Sequence, residues 1–560
     1  MLYRSTPPRG LLRTAAALLA CLAGSPLLAL AAPKTVCTIT INSADERDTF
    51  QRHLPPGEYQ FVELVKPHQS NWFAQACQSQ VRCDALVISG HFDDGTEFYT
   101  DRVGDRDRLP VTELEQASCS NSCNGVLANV KEVYLFGCNT LKSDPRHVAE
   151  GEVLRSLARS GLPRADAERV AAALNTRYGQ SNRDRLRTVF KDVPLLYGFS
   201  SKAPLGRTAG PLLERYFQTA PAGEIASGRE SPTMLSLFGP TSMVAASGLT
   251  DADPNAAFRQ DMCRFADTRP ADANKLAFLH QVLQRDVNEA RMFLDHLERY
   301  TESLGPAQRR VPEVAAALEQ IRNDQPTRER YLAFARDVDR AGVQVRMMAL
   351  ARSLGWLSAE QEQAEFLQMI STRMARNTLG LHDVDLVCAT PQTPGPDLAL
   401  QVRASGAVQP RNVAHSAALA CLGDPEAHTR TLGALTSSRD DEVAIAQVYL
   451  RHRPLADVGE VRAIASGIGR MTTASAQVRA LETLAKQRLA DTQSLQEIAR
   501  LFSQARSLDV QRAIAGILIR SDYRQLGTAE LARSLSQHRL KSPNGSDVID
   551  VLIRLLRQSA

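Results

Sequence analysis

The sequence carries almost no excess of charge. Its 66 lysines and arginines face 62 acidic residues, and beyond residue 31 the balance is 63 to 62. Phosphate recognition needs a concentrated basic surface, so a nucleic-acid partner is not expected. Aromatic side chains make up only 5% of the chain, as in helical repeat proteins built largely from Ala and Leu. After residue 31 no apolar run is long enough to cross a bilayer, so the mature chain is expected to have no membrane span. Several signature motifs are also missing: there is no Walker loop, no His-Glu-x-x-His and no Gly-x-Gly-x-x-Gly. Gly198-Phe199-Ser200-Ser201-Lys202 begins like a nucleophile elbow, but Lys202 stands where its closing glycine belongs. The spacings Cys77-x5-Cys83 and Cys119-x3-Cys123 differ from the tight Cys-x2-Cys pairs of zinc knuckles, and neither a metal nor another cofactor is expected.

What is present begins at the N-terminus. Arg4, Arg9 and Arg13 form a positive segment, Thr14 to Leu30 is almost wholly apolar, and Ala29-Leu30-Ala31 offers small residues for cleavage. This pattern predicts a signal peptide over 1–31 and an exported protein, periplasmic or secreted. Gly24, Ser25 and Pro26 interrupt the run and make it a poor spanning helix. Leu18-Leu19-Ala20-Cys21 approximates a lipobox; lipid anchoring at Cys21 ranks below simple cleavage, because leucine is unusual just before Ala20.

Setting Cys21 aside leaves nine cysteines: Cys37, Cys77, Cys83, Cys119, Cys123, Cys138, Cys263, Cys388 and Cys421. In an oxidising compartment they tend to pair, and an odd number leaves at least one over. The crowding between Cys37 and Cys123 predicts disulfides that brace the N-terminal domain. A mature chain of about 530 residues is too long for one core. Periodicity divides it into an α/β domain over 32–225, a linker or irregular boundary over 226–262, a helical domain over 263–400 and helical repeats over 401–560.

In the first of these, short apolar runs alternate with helical stretches such as Val148 to Leu157. The runs Val36 to Ile41, Ala85 to Ile88, Val133 to Phe136 and Val193 to Tyr197 read as strands buried on both faces, which predicts a mostly parallel sheet flanked by helices. Thr96 to Thr100 opens a small hairpin insertion. From residue 220 to 260 Gly, Ser, Pro and Ala dominate and periodicity fades. Beyond, Leu276, Leu279, Leu283, Val287, Ala290, Leu294 and Leu297 form a core-facing helical stripe. A polar residue followed by valine recurs at Asn412-Val413, Glu442-Val443, Gln477-Val478, Asp509-Val510 and Asp547-Val548, at intervals of 30, 35, 32 and 38 residues. Such spacing predicts stacked helix pairs resembling HEAT repeats.

Two of the strands end in reactive side chains. Ala85-Leu86-Val87-Ile88-Ser89-Gly90 leads to His91, and Val133-Tyr134-Leu135-Phe136-Gly137 leads to Cys138. The carboxyl ends of parallel strands are where open sheets bind ligands. A thiol beside an imidazole there becomes a thiolate nucleophile, and the imidazole later protonates the leaving amine. Asp93, Asp94 and Asp101 read as loop and turn residues rather than catalysts, and His147 as a surface residue near a helix start.

At these residues the sequence resembles the caspase-like cysteine peptidases of clan CD, which include caspases, gingipains and CHAT-domain proteins. Phe136-Gly137-Cys138 is similar to their cysteine strand, and Cys138-Asn139-Thr140 to the Cys-x-Thr of CHAT domains. His91-Phe92-Asp93-Asp94-Gly95 with Thr96 to Thr100 resembles their His-Gly-x-x-Gly and strand, and Leu109 to Leu114 falls where CHAT domains begin a helix. The resemblance covers roughly residues 36 to 200. It implies a cysteine endopeptidase acting on a protein or peptide, with His91 and Cys138 as a catalytic dyad. The backbone N–H groups of Phe92 and Cys138 would form the oxyanion hole, and the helical array would bind a partner or substrate. The family has glycine where this chain has Phe92. That departure leaves a second reading, an inactive caspase-like domain in a protein-binding scaffold. If the position needs positive φ, Phe92 is strained, and Phe92→Gly is expected to be tolerated and to raise activity.

Overall fold

The computed structural model describes residues 32–560 except 67–68, 70, 93–94, 102–106, 145–149, 179–180, 391–397, 403–411, 488, 490, 542–546 and 560. The export segment with Cys21 therefore lies outside the described residues, as do Asp93, Asp94, His147 and the first two positions of the helix expected from Val148. The chain divides into two compact units, one of residues up to 148 with 172–271, the other of residues 149–171 with 272–560.

The first unit is an α/β domain. Its strands are β1 (Lys34–Thr40), β2 (Tyr59–Glu63), β3 (Ala85–Ser89), β4 (Glu97–Tyr99), β5 (Arg108–Pro110), β6 (Glu132–Phe136), β7 (Leu195–Phe199) and β8 (Met243–Ala246). Six of them form one sheet in the order β2-β1-β3-β6-β7-β8, while β4 and β5 make the small hairpin foreseen after His91. All neighbours in the large sheet run parallel except β8, which is antiparallel to β7. The sheet is thus mostly parallel, as expected. Every residue of β3, β6 and β7 is buried, which is why these strands read as unbroken apolar runs. Pro194 lies just outside β7, where its missing N–H interrupts no ladder.

Two helical layers bury the faces. On one, Val36, Val87, Tyr134 and Tyr197 pack with Phe50 of α1 (Asp45–His53) and with Leu213 of a helix running Gly206–Thr219. On the other, Leu86, Ile88, Val133 and Leu135 pack with Trp72 of the helix Trp72–Gln78, Leu114 of Val111–Cys119 and Leu186 of Asn182–Val189. Residues 226–262, where the sequence pattern fades, hold helix Pro232–Phe238, edge strand β8 and most of helix Ala256–Ala266.

Disulfides join Cys37 to Cys83, Cys77 to Cys123 and Cys119 to Cys263 in this unit, and Cys388 to Cys421 in the other. Among the described residues Cys138 alone is a free thiol.

In the second unit the described elements from residue 272 on are all helical. Helices Val413–Cys421, Asp440–His452, Ala474–Ala485, Leu508–Arg520 and Val548–Ser559 each pack on the next in the series, with one α-helix between successive members. These are the helices marked by the recurring polar-valine pairs. Asn412 caps the first of them by accepting the His415 N–H, and Val443 and Val510 turn into the core. Among the described residues no helix is long and apolar enough to cross a membrane.

Candidate active site

In the register of β3 and β6, Ser89 pairs with Phe136. Two residues further along each strand are His91 and Cys138, so the pairing that fixes the strands also brings these residues level at the sheet's carboxyl edge. Parallel neighbours lie about 4.8 Å apart. Alternation then sets the face. Val87 of β3, and Tyr134 and Phe136 of β6, point to the α1 side, and continuing by twos puts His91 and Cys138 on that side as well. Leu86, Ile88 and Phe92 of the first segment point the other way.

The glycine before Cys138 has a steric cause. A Cβ on Gly137 would lie 2.8 Å from the Gly90 carbonyl oxygen and 2.9 Å from the Phe92 Cβ. The two strand-end loops are therefore in close contact, and a side chain at 137 would force them apart.

The turn after Cys138 is tied to β7. Asn139 adopts φ of +60° and donates its N–H to the Ser201 carbonyl at 2.7 Å. The Thr140 hydroxyl accepts the Phe199 N–H at 2.9 Å and lies 3.2 Å from the Gly137 carbonyl oxygen, to which it donates. Cys138 Sγ accepts the Ala203 N–H at 3.4 Å. Gly198 belongs to the same stitching, since a Cβ there would come within 2.7 Å of Thr140 Oγ1 and Leu141. This close approach explains the glycine of Gly198-Phe199-Ser200, and the Ser200 hydroxyl is turned to the Ser242 carbonyl at 3.1 Å.

His91 is held by its backbone and by its ring. Its N–H and C=O pair with Tyr99 at 2.9 and 3.0 Å, which fastens it to the hairpin. Its Nε2 lies 3.0 Å from Asn42 Nδ2 and 3.3 Å from Asp101 Oδ2. These neighbours suit both charge states. Neutral imidazole protonated on Nδ1 accepts from the Asn42 amide at Nε2. Imidazolium donates from Nε2 to Asp101, and rotating the Asn42 amide would offer it an oxygen while the Thr100 hydroxyl, 3.0 Å from Asn42 Oδ1, exchanged roles. Asn42 follows β1 as His91 follows β3. The strand order reverses between these two strands, where open parallel sheets form their binding crevice.

Asn42 is a third residue of this kind, two positions past the end of β1, and the rule that singles out His91 and Cys138 applies to it equally. Asp101, read as a loop residue, does lie in a loop but reaches the imidazole. The helix Asn182–Val189 supplies two further supports. Asn182 Nδ2 donates to the Asn139 carbonyl at 2.9 Å, and Arg185 donates to the Gly95 carbonyl at 3.0 Å while pairing with buried Glu115. The segments following His91 and Cys138 are thus gripped by one helix, and no spacing rule links these distant positions. Asn182→Ala is expected to free the Asn139 carbonyl and to speed exchange of the Asn139 amide about tenfold, the loss of roughly one hydrogen bond. Hydrogen-exchange mass spectrometry of the peptide spanning Cys138 checks this.

Phe92 is only 1% exposed, and its ring meets that of Phe98 at 4.5 Å between centroids. It is not among the residues with positive φ, so the backbone there accommodates a bulky side chain without strain. The N–H groups of Phe92 and Cys138 donate no hydrogen bond among the described residues. Glu46 in the first turn of α1 is 3% exposed, and its Oε2 has no hydrogen-bond partner among the described residues. Burial pushes its carboxyl up to about 7, against the opposing pull of its own backbone N–H and the Ser89 and Ser43 hydroxyls. Folding therefore binds a proton here. The stability this contributes is complete below the ordinary carboxylate range and is lost as pH rises through about 7.

Comparison of the chain with protein-family models, with curated proteins and with solved structures finds no match.

Proposed function

We propose that the chain is a thiol hydrolase and, within that class, an exported caspase-like cysteine endopeptidase whose HEAT-like array binds a partner or substrate. One observation carries the reading. The free thiol among the described cysteines and a histidine held by a carboxylate and an amide each follow, by two residues, a paired position of adjacent parallel strands. In the proposed reaction the Cys138 thiolate attacks the scissile carbonyl carbon and its π electrons move onto oxygen. The N–H groups of Phe92 and Cys138, which donate to no described residue, are the donors assigned to that oxyanion. As the C–N bond breaks, the His91 imidazolium gives its proton to the leaving amine. Neutral His91 then takes a proton from water, which hydrolyses the thioester and regenerates the thiol. Four disulfides accord with export, because they persist in oxidising compartments.

Incubation with a peptide library and mass spectrometry of the products tests the activity; no cleavage across the library under reducing and non-reducing conditions would count against it. The nucleophile can be tested without a substrate. Cys138 is expected to react with iodoacetamide at mildly acidic pH, where an ordinary thiol with a pKa of about 8.5 is mostly protonated. His91→Ala should slow that reaction by about 10-fold or more. Cys138 labelling no faster than an unactivated thiol, or found in a disulfide, would sink the peptidase reading and favour a binding scaffold.

A further inference from the structure

The second unit holds a cleft of about 770 Å³, lined from helices Gln325–Arg336, Ala341–Ser353 and Ala359–Ala375 and by Arg155 of helix Glu150–Arg159. Ligand sites have this size. The charged groups of the cleft are largely satisfied within the chain. Arg336 Nε donates to Glu365 at 3.0 Å, Arg155 pairs with Asp339 at 2.5 Å, and Arg373 donates to the carbonyls of Val338 and Asp339. Of the four guanidinium groups lining the cleft only Arg376 is left over, and it is exposed. An ionic ligand would compete with these contacts, whereas a neutral one would leave them in place.

The neutral polar groups are in the opposite condition. Gln344, on helix Ala341–Ser353, is 7% exposed, and its carboxamide makes no hydrogen bond among the described residues. Gln368 and Thr372, on helix Ala359–Ala375, line the same cleft, and their side chains also make none. A buried carboxamide without a partner is costly, and folds ordinarily supply one. A carboxamide offers a donor and an acceptor side by side, and another amide meets both at once. Gln368 and Thr372 are four residues apart, so they stand about 6 Å apart along the helix. In an extended chain the main-chain groups facing one way recur every two residues, at about 6.6 to 6.8 Å. Met369, 5% exposed, adds an apolar contact. Among the described residues no aromatic ring, the usual platform for a sugar, lines the cleft.

We propose that this cleft binds an extended peptide segment by its main chain, with Gln344 bonded to one peptide unit and Gln368 and Thr372 to others. Main-chain recognition supplies affinity without fixing a sequence, so the partner is an unfolded or flexible stretch of protein. None of these residues belongs to the proposed hydrolysis or to the repeats over 401–560. The inference therefore stands whether or not Cys138 is a nucleophile.

The test is an array of random-sequence peptides probed with the full chain carrying Cys138→Ala, so that no peptide is cut. Peptides that bind are then made in soluble, fluorescein-labelled form and titrated by anisotropy. Dissociation constants are expected to rise about tenfold in Gln344→Leu, which keeps most of the volume, and about threefold in Thr372→Val or Gln368→Ala. Gln344→Leu should melt no lower than its parent, because it removes a carboxamide that has no partner in the fold. Gln368 is exposed, so Gln368→Ala serves if Gln344→Leu does not fold. Failure of every peptide to bind, or equal affinities for the parent and all variants that fold, would overturn the inference. Binding to an array of oligosaccharides but not of peptides would overturn it too, and assign the cleft to a sugar. None of these outcomes touches the peptidase reading, which is decided by cleavage and by the reactivity of the thiol.

Discussion

Cys138→Ala is expected to remove peptide cleavage by a factor of about 10⁴ or more, and His91→Ala by about 10² to 10⁴. The substrate for both would be a peptide found cut in the library. The difference between them follows from their roles. Without the thiol no covalent intermediate forms, whereas without the imidazole a thiolate still forms at higher pH and water still protonates the amine, slowly. Neither change should unfold the protein. Removing the Cys138 sulfur strands one weakly bonded N–H, that of Ala203, at a cost of about 1 kcal/mol or less. Truncating His91 leaves its two backbone hydrogen bonds to Tyr99 in place. Circular dichroism and melting of each variant beside the kinetics separate loss of chemistry from loss of fold. Turnover near the wild-type rate in either variant would remove the dyad.

The parts of this architecture that could be read from sequence are those where one physical demand dominates. Strands β3, β6 and β7 are covered on both faces, so burial alone makes them apolar runs, and the residues after them are recognisable as strand-end residues. Edge strands obey no single demand. In β2 only Tyr59 is buried, and β8 has one buried residue in a stretch rich in Gly, Ser and Ala. Antiparallel pairing of β8 to β7 also falls outside a reading built on strand–helix alternation. The odd cysteine was legible because parity is arithmetic, but the pairings were not, since Cys119 finds Cys263 across 144 residues. The same holds within the site. His91 and Cys138 follow strands and announce themselves, whereas Asn182 and Arg185 act through one helix on loops more than forty residues away. Glu46 looks like any acidic residue in a helix's first turn, where negative charge is favoured for local reasons. Only its burial in the folded domain makes its carboxyl unusual.

Phe92 reverses an expectation drawn from sequence, and with a large effect. Read beside caspase-like proteins, it stands where glycine is usual, and glycine there was expected to be tolerated. In the structure its ring is buried against Phe98 in the same core as Ile88, Leu109 and Leu114, while its Cβ occupies the space that Gly137 leaves open. Phe92→Gly is therefore expected to destabilise the α/β unit by about 4–5 kcal/mol, combining loss of a buried aromatic with the greater backbone freedom of glycine. Phe92→Leu, which keeps most of the volume, should cost about 1–2 kcal/mol. The N–H proposed for the oxyanion belongs to the backbone and survives both changes, so cleavage per folded molecule should stay within about threefold of wild type at low temperature. Denaturant unfolding followed by near-ultraviolet circular dichroism gives the stabilities, and titration of active thiols gives the folded fraction. A Phe92→Gly protein as stable as wild type but slow to turn over would show that the ring works at the substrate rather than in the core.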